Sequence, residues 1–269
     1  MISLRFFNLW AVLGLVACTI PASQDFEAYE ASYARARDAG KQVVEVYNQY
    51  DKVNRARRTD NNTFDPNFAD VYVPEALSPL SIKIEAGFAS ATVFNEVLGR
   101  YATNNSLSLQ TENVETLNAS VGSIAGLVGE PQIANQINAV VEASLALGNL
   151  SLAQSDREEF IRLVQAHANT VDTFLAVVRD DTKAMFSDAR TATALGNGSF
   201  NKLEEFRQML ASWVLLIDQT RSDLAALERA VERGDSGAPI LGLLAESTQR
   251  IDRYAAEISA VRRKLLGVF

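Results

Sequence analysis

Residues 155–198 read SDREEFIRLVQAHANTVDTFLAVVRDDTKAMFSDARTATALGNG, and this stretch decides the fold class. Ser155-Asp156-Arg157-Glu158 has the form of a capping box: a serine and a glutamate three residues on satisfy the free N–H groups of a helix start. Behind it Phe160, Leu163, Val164, Val171, Phe174, Leu175, Val178 and Met185 recur at helical spacing and make one apolar face. The helix runs to about Ala194, and Gly196-Asn197-Gly198 ends it. At 1.5 Å per residue, a helix of about 35 residues spans roughly 50 Å. Such a rod needs partners of similar length to cover its apolar face.

The neighbouring sequence supplies them. Asn201 to Glu204 opens a helix reaching about Arg233, with Leu203, Phe206, Leu210, Trp213, Ile217, Leu224, Leu227 and Val231 on one side. Gly234-Asp235-Ser236-Gly237-Ala238-Pro239 is a turn, and a last helix over about 240–266 carries Leu244, Ile251, Tyr254, Ile258, Val261 and Leu265. Upstream, Phe26 to Arg58 reads as a first helix with Gly40 as its weak point, and Leu80 to Thr103 as a second. Residues 60–79 between them carry Pro66, Pro74 and Pro79. Connections beyond about 12–15 residues are often functional, and Phe64, Phe68 and Tyr72 are the candidate partner contacts here.

No Lys or Arg occurs from Tyr101 through Asp156, and Glu130 and Glu142 are the only charges in Leu117–Ala153. Two short helices, about 113–128 and 132–147, are expected to turn at Glu130-Pro131 and form a buried apolar hairpin. Gly122-x-x-x-Gly126 resembles a membrane helix contact, but each arm falls short of the roughly 20 apolar residues that span a bilayer. No alternating strand pattern of useful length appears. The expected fold is all-α: one domain over 26–269, an elongated up-and-down bundle of long amphipathic helices with a short apolar hairpin.

Composition narrows the function. The 269 residues carry 25 Lys and Arg against 33 Asp and Glu, a net charge of −8. An acidic chain has no general attraction for a phosphate backbone, so nucleic acid is not expected as partner. The one cysteine permits no intrachain disulfide. It lies at position 18, after Arg5 and an apolar stretch from Phe6 to Ala17 broken only by Asn8. That is the layout of a secretion signal.

Leu15-Val16-Ala17-Cys18 resembles the lipobox of bacterial lipoproteins. The resemblance covers the first twenty or so residues. It implies a signal peptide over 1–17, cleavage before Cys18, lipid on the Cys18 sulfur and a tether over 18–25. Two or three acyl chains anchor almost permanently, at roughly 0.8 kcal/mol per buried CH₂. Thr19, where an aspartate often holds such proteins at the inner membrane, favours the outer membrane.

The rest of the chain offers little chemistry. His167 is the only histidine, with Leu163, Val164 and Val171 as helical neighbours, and reads as a core or boundary residue. A di-iron bundle or a multi-imidazole zinc site needs more than one, and a serine nucleophile would need His167 as its base. Glu158-Glu159, Asp180-Asp181 and Glu204-Glu205 read as solvated faces or helix-start charges. Gly196-x-Gly198 lacks a third glycine, and Asp60-x-Asn62 is broken as a calcium loop by Phe64-Asp65-Pro66. Arg55, Arg57 and Arg58 suit a helix end.

No catalytic residue, metal or cofactor is expected. The function expected is a non-enzymatic envelope lipoprotein, held to the periplasmic face of the outer membrane through Cys18 and binding another envelope protein. A carrier of small apolar ligands and a pore-forming or membrane-remodelling protein are the alternatives.

Overall fold

The computed structural model describes residues 23–58, 64–66, 69, 73, 77–103, 156–195, 199–233 and 241–267. Among these, five helices are present and no strand: α1 (Ser23–Arg58), α2 (Pro79–Thr103), α3 (Asp156–Leu195), α4 (Phe200–Arg233) and α5 (Leu241–Leu266). The expected boundaries hold to within three residues. The expected hairpin, at 113–128 and 132–147, lies outside the described residues.

Two differences have local causes. Pro79 opens α2 rather than closing the preceding connection. Its fixed φ and missing N–H suit the first helical position, and Ser78 caps it, with Ser81 N–H donating to Ser78 Oγ at 3.0 Å. Gly40 is not a weak point. α1 runs unbroken through it, and a Cβ there would stand 3.0 Å from Trp213 Cζ2 and 3.3 Å from Phe88 Cε2. The glycine lets α1 approach α4 closely enough for the indole to lie against its backbone.

Cross-helix contacts fix the directions. Phe26 meets Phe160, Arg35 pairs with Asp252, Tyr47 reaches Asp188, and Glu45 pairs with Arg262. α1, α3 and α5 therefore run parallel. Thr220 bonds to the carbonyl of Ser32 and Tyr50 to that of Lys202, so α4 runs against them; Asn48 meets Ser78 and Tyr33 meets Phe88, so α2 does too. The path is up, down, up, down, up.

α1 packs on all four other helices. These pack in the order α2–α3–α4–α5 around it, with no contact between α2 and α5 among the described residues. α1 is thus a central strut in an arc of four. Its burial is correspondingly wide: Phe26, Tyr29, Tyr33, Ala36, Ala39, Val43, Val44, Val46 and Tyr47 are all within the core. Its exposed residues, including Glu27, Glu30, Asp38 and Lys41, line the opening of the arc.

The middle of the core is aromatic. Trp213 is fully buried and donates its indole N–H to the Ala36 carbonyl at 3.1 Å. Phe88 meets Phe174 edge-on at 5.3 Å and Tyr33 at 5.9 Å. Ion pairs then bridge the outer seams: Arg221 holds Asp172 through two bonds at 2.7 and 2.9 Å, Arg179 reaches Asp218 at 2.8 Å, and Arg262 grips Glu45 at 2.6 and 2.8 Å. Exposed pairs contribute only about 0.2–1 kcal/mol each. Their value here is in register, since each joins two helices at one level.

Candidate functional site

The bundle has two unlike ends. At the near end α1 begins at Ser23, five residues after Cys18, and α2 stops at Thr103 while α3 starts at Asp156. At the far end α1 finishes, α2 begins, α3 and α5 finish and α4 begins. The far end carries the Asn48–Ser78–Ser81 cluster of buried polar side chains and most of the exposed apolar ones.

Its polar cluster grows from the last turns of α1. Asn48, 6% exposed, accepts two hydrogen bonds at Oδ1: from Ser78 N–H at 3.1 Å and from Ser81 Oγ at 2.7 Å. The two serine hydroxyls stand 2.8 Å apart. One side chain of α1 therefore holds the point where the connection enters α2. Towards α3, Tyr47 donates to Asp188 Oδ2 at 2.8 Å and Asn54 donates to the Asp188 carbonyl at 2.8 Å. Asp51 and Arg55 form an ion pair at 2.6 Å with both side chains largely buried. Burial pushes the Tyr47 hydroxyl well above the usual phenol range, and the Asp188 carboxylate adds to this. Burial, with Glu205 nearby, pushes Tyr50 up to about 12. These phenols stay protonated and act as donors.

Six large apolar residues are exposed among the described residues: Val53, Phe64, Val73, Leu77, Phe200 and Leu215. All but Leu215 belong to chain segments that end or begin at the far end. Phe64 is 71% and Phe200 80% exposed. Of the candidate contacts named from sequence, Phe64 is thus exposed, while Phe68 and Tyr72 lie outside the described residues, as does Cys18. Sequence reasoning missed Phe200. Its signal was present: it follows the Gly196-Asn197-Gly198 stop and stands off the Leu203–Phe206–Leu210 stripe of α4. It also missed Asn48, which is spaced as a core residue but was given no partner.

A groove of about 420 Å³ runs between α1 and α2 on the open side of the arc. Arg37 and Lys41 edge one wall, Glu85 and Glu96 the other, and Val44 and Ala89 lie between. Burial raises the Glu85 carboxyl above its ordinary value, and Lys41 opposes the shift.

The remaining candidates fall into structural roles. His167 is half-buried and edge-on to Phe94 at 5.9 Å. Burial lowers its pKa, and Arg162 lowers it further. Asp180 pairs with Lys183 and Arg179, which hold its carboxyl below the usual range, while Asp181 pairs with Lys83. Glu204 pairs with Arg207. Gly196-x-Gly198 lies outside the described residues. No cluster of metal-ligating side chains occurs among the described residues, and no described helix is long and apolar enough to cross a membrane. Comparison with known proteins gave no matching family, no matching curated sequence and no matching solved structure.

Proposed function

We propose that the protein is an envelope lipoprotein with a non-enzymatic, structural or protein-binding role, in which lipid on Cys18 holds the near end at the outer membrane and the bundle projects the far end towards a protein partner. The carrying observation is the placement of α1. It starts five residues after Cys18 and continues for 36 residues as the strut that every other described helix packs on. At 1.5 Å per residue the far end stands about 54 Å from Ser23. A load on the anchor passes directly into the core.

In-cell crosslinking of the lipidated protein, with Cys18→Ser as control, tests this. The expected result is sedimentation with outer membranes and one dominant envelope partner, both lost in the control. Unchanged sedimentation of Cys18→Ser would sink the anchor, and turnover of a substrate without any envelope partner would sink the role.

The groove between α1 and α2 favours a second reading, a domain that carries a small ligand. Its charged rims and narrow apolar base suit an amphiphile. Native mass spectrometry of the purified protein should then show a co-purified species that a Val44→Trp substitution displaces.

A further inference from the structure

The groove between α1 and α2 carries opposite charge on its two walls, and the four charges are not equivalent. Arg37 is engaged: its Nε and Nη2 hold Asp38 at 3.2 Å, and its Nη1 reaches Thr92 Oγ1 at 3.4 Å. Glu96 has a partner of its own. Lys41 and Glu85 differ, since neither makes a hydrogen bond or an ion pair among the described residues. The acids one turn from Lys41 on α1, Asp38 and Glu45, are taken by Arg37 and Arg262. Glu85 has no base three or four residues away on α2, and Lys83, two residues before it, pairs with Asp181. Partial burial already disfavours the Glu85 carboxylate, and Lys41 acts on it only across the groove. A cation on one wall and an anion on the other thus face the same space without closing it.

We propose that this groove binds a short apolar peptide with both termini free, its ammonium group on Glu85 and its carboxylate on Lys41. The proposal rests on the ligand-carrying reading of the groove and names the class of ligand.

Size, floor and charge fix the occupant. A volume of about 420 Å³ lies within the roughly 300–1,000 Å³ of small-molecule sites, which combine an apolar lining with a few placed polar groups. The floor is apolar, from Val44 on α1 to Ile84 and Ala89 on α2. A wholly apolar ligand would cover Lys41 and Glu85 without replacing the water they lose, and desolvating an unpaired charge is costly. Charges of both signs at the rim favour a molecule that carries both. A free peptide meets the two charges with its termini and gives its side chains to the floor. A lipid with the same headgroup charges fits less well. The next turn of α2 brings Thr92 and then Glu96 to the wall, so an acyl tail leaving the floor would run against polar side chains.

The test is isothermal titration calorimetry of the purified full chain with leucyl-leucine, set against its N-acetyl form, its C-terminal amide and lysophosphatidylethanolamine. The free dipeptide should bind tightest, and each cap should weaken binding about tenfold, the loss expected for one hydrogen bond between charged groups. Glu85→Gln should remove the discrimination against the acetyl cap and keep that against the amide. Lys41→Gln should do the reverse. Both side chains are exposed at the groove mouth, so neither change threatens the fold. Free and capped dipeptides bound alike, tighter binding of the lysolipid, or discrimination that survives both substitutions would overturn the proposal. Native mass spectrometry separates its failure from that of the carrier reading. A co-purified species displaced by Val44→Trp, with no heat from the dipeptide, retires the peptide alone. No heat and no co-purified species retire both.

Discussion

The two halves of α1 solve the same packing problem differently. The half nearer Ser23 buries Phe26, Tyr29, Tyr33, Ala36 and Gly40 against the aromatic rings of α2, α3 and α4. The half nearer Arg58 buries Tyr47, Asn48, Asp51 and Arg55 in hydrogen bonds and an ion pair. Apolar contact is proportional to area and nearly indifferent to register. Hydrogen bonds are directional, so a half-turn slip that leaves rings in contact would strand Asn48 and the Ser78 backbone N–H without partners. The first half keeps register-setting bonds of its own, from Tyr33 to the Phe88 carbonyl and from Thr220 to that of Ser32, and the second adds a buried polar set that fixes where the connection enters α2.

Substitutions can break or sharpen that contrast. Trp213→Ala should be the most costly, removing about 3–5 kcal/mol through lost burial and the cavity left behind; urea unfolding monitored by circular dichroism would measure it. A loss under 1 kcal/mol would mean that the indole is not the keystone of the apolar half. Gly87→Ala should cost about 1–3 kcal/mol by overpacking, because its Cβ would fall 2.0 Å from the Phe174 ring, which the core holds in place. Asn48→Ala should cost about 1–3 kcal/mol, since it leaves the buried Ser78 N–H unsatisfied and takes from the Ser81 hydroxyl one of its two partners. It should also speed proteolysis within 59–77 before the bundle melts; if cleavage there is unchanged, the polar half does not hold the connection.

The smallest effect is a pH dependence. His167 has a folded pKa below the ordinary imidazole value of 6.5 because burial disfavours its charge. As pH falls below about 6.5 the unfolded chain therefore binds the proton first. Stability is then lost until the folded pKa is passed, and it is fully present above pH 6.5. Thermal melts of His167→Gln should show a flatter slope across this window, with little change at pH 8. An equal slope in both proteins would assign the acid sensitivity to other groups.

Much of the fold was legible because long helices announce themselves. The capping-box pattern that begins at Ser155, the stripes of α3 and α4 and the glycine pair at 196 and 198 are sequence signals of helix type and length that rest on local geometry alone. The far-end site was only half legible. Phe64 could be suspected from its place in a long proline-bearing connection. Phe200 left a weaker sign, its place after the glycine stop and off the α4 stripe, because whether a helix-start aromatic turns inward depends on the neighbour it would meet. Gly40 was misjudged for a related reason. A glycine in an isolated helix weakens it by roughly 1 kcal/mol, and only the indole of Trp213 shows what the missing side chain allows.

Helix existence, the all-α class and the distribution of charge along each helix were determined by the sequence itself, since each depends on residues within a few turns of one another. Tertiary structure decided that α1 would be the central strut, that α1 and α5 would run parallel, and that Asn48 would meet Ser78 thirty residues away. Those outcomes depend on which faces pair and in which direction. A helical stripe states that a face must be buried, but not against what.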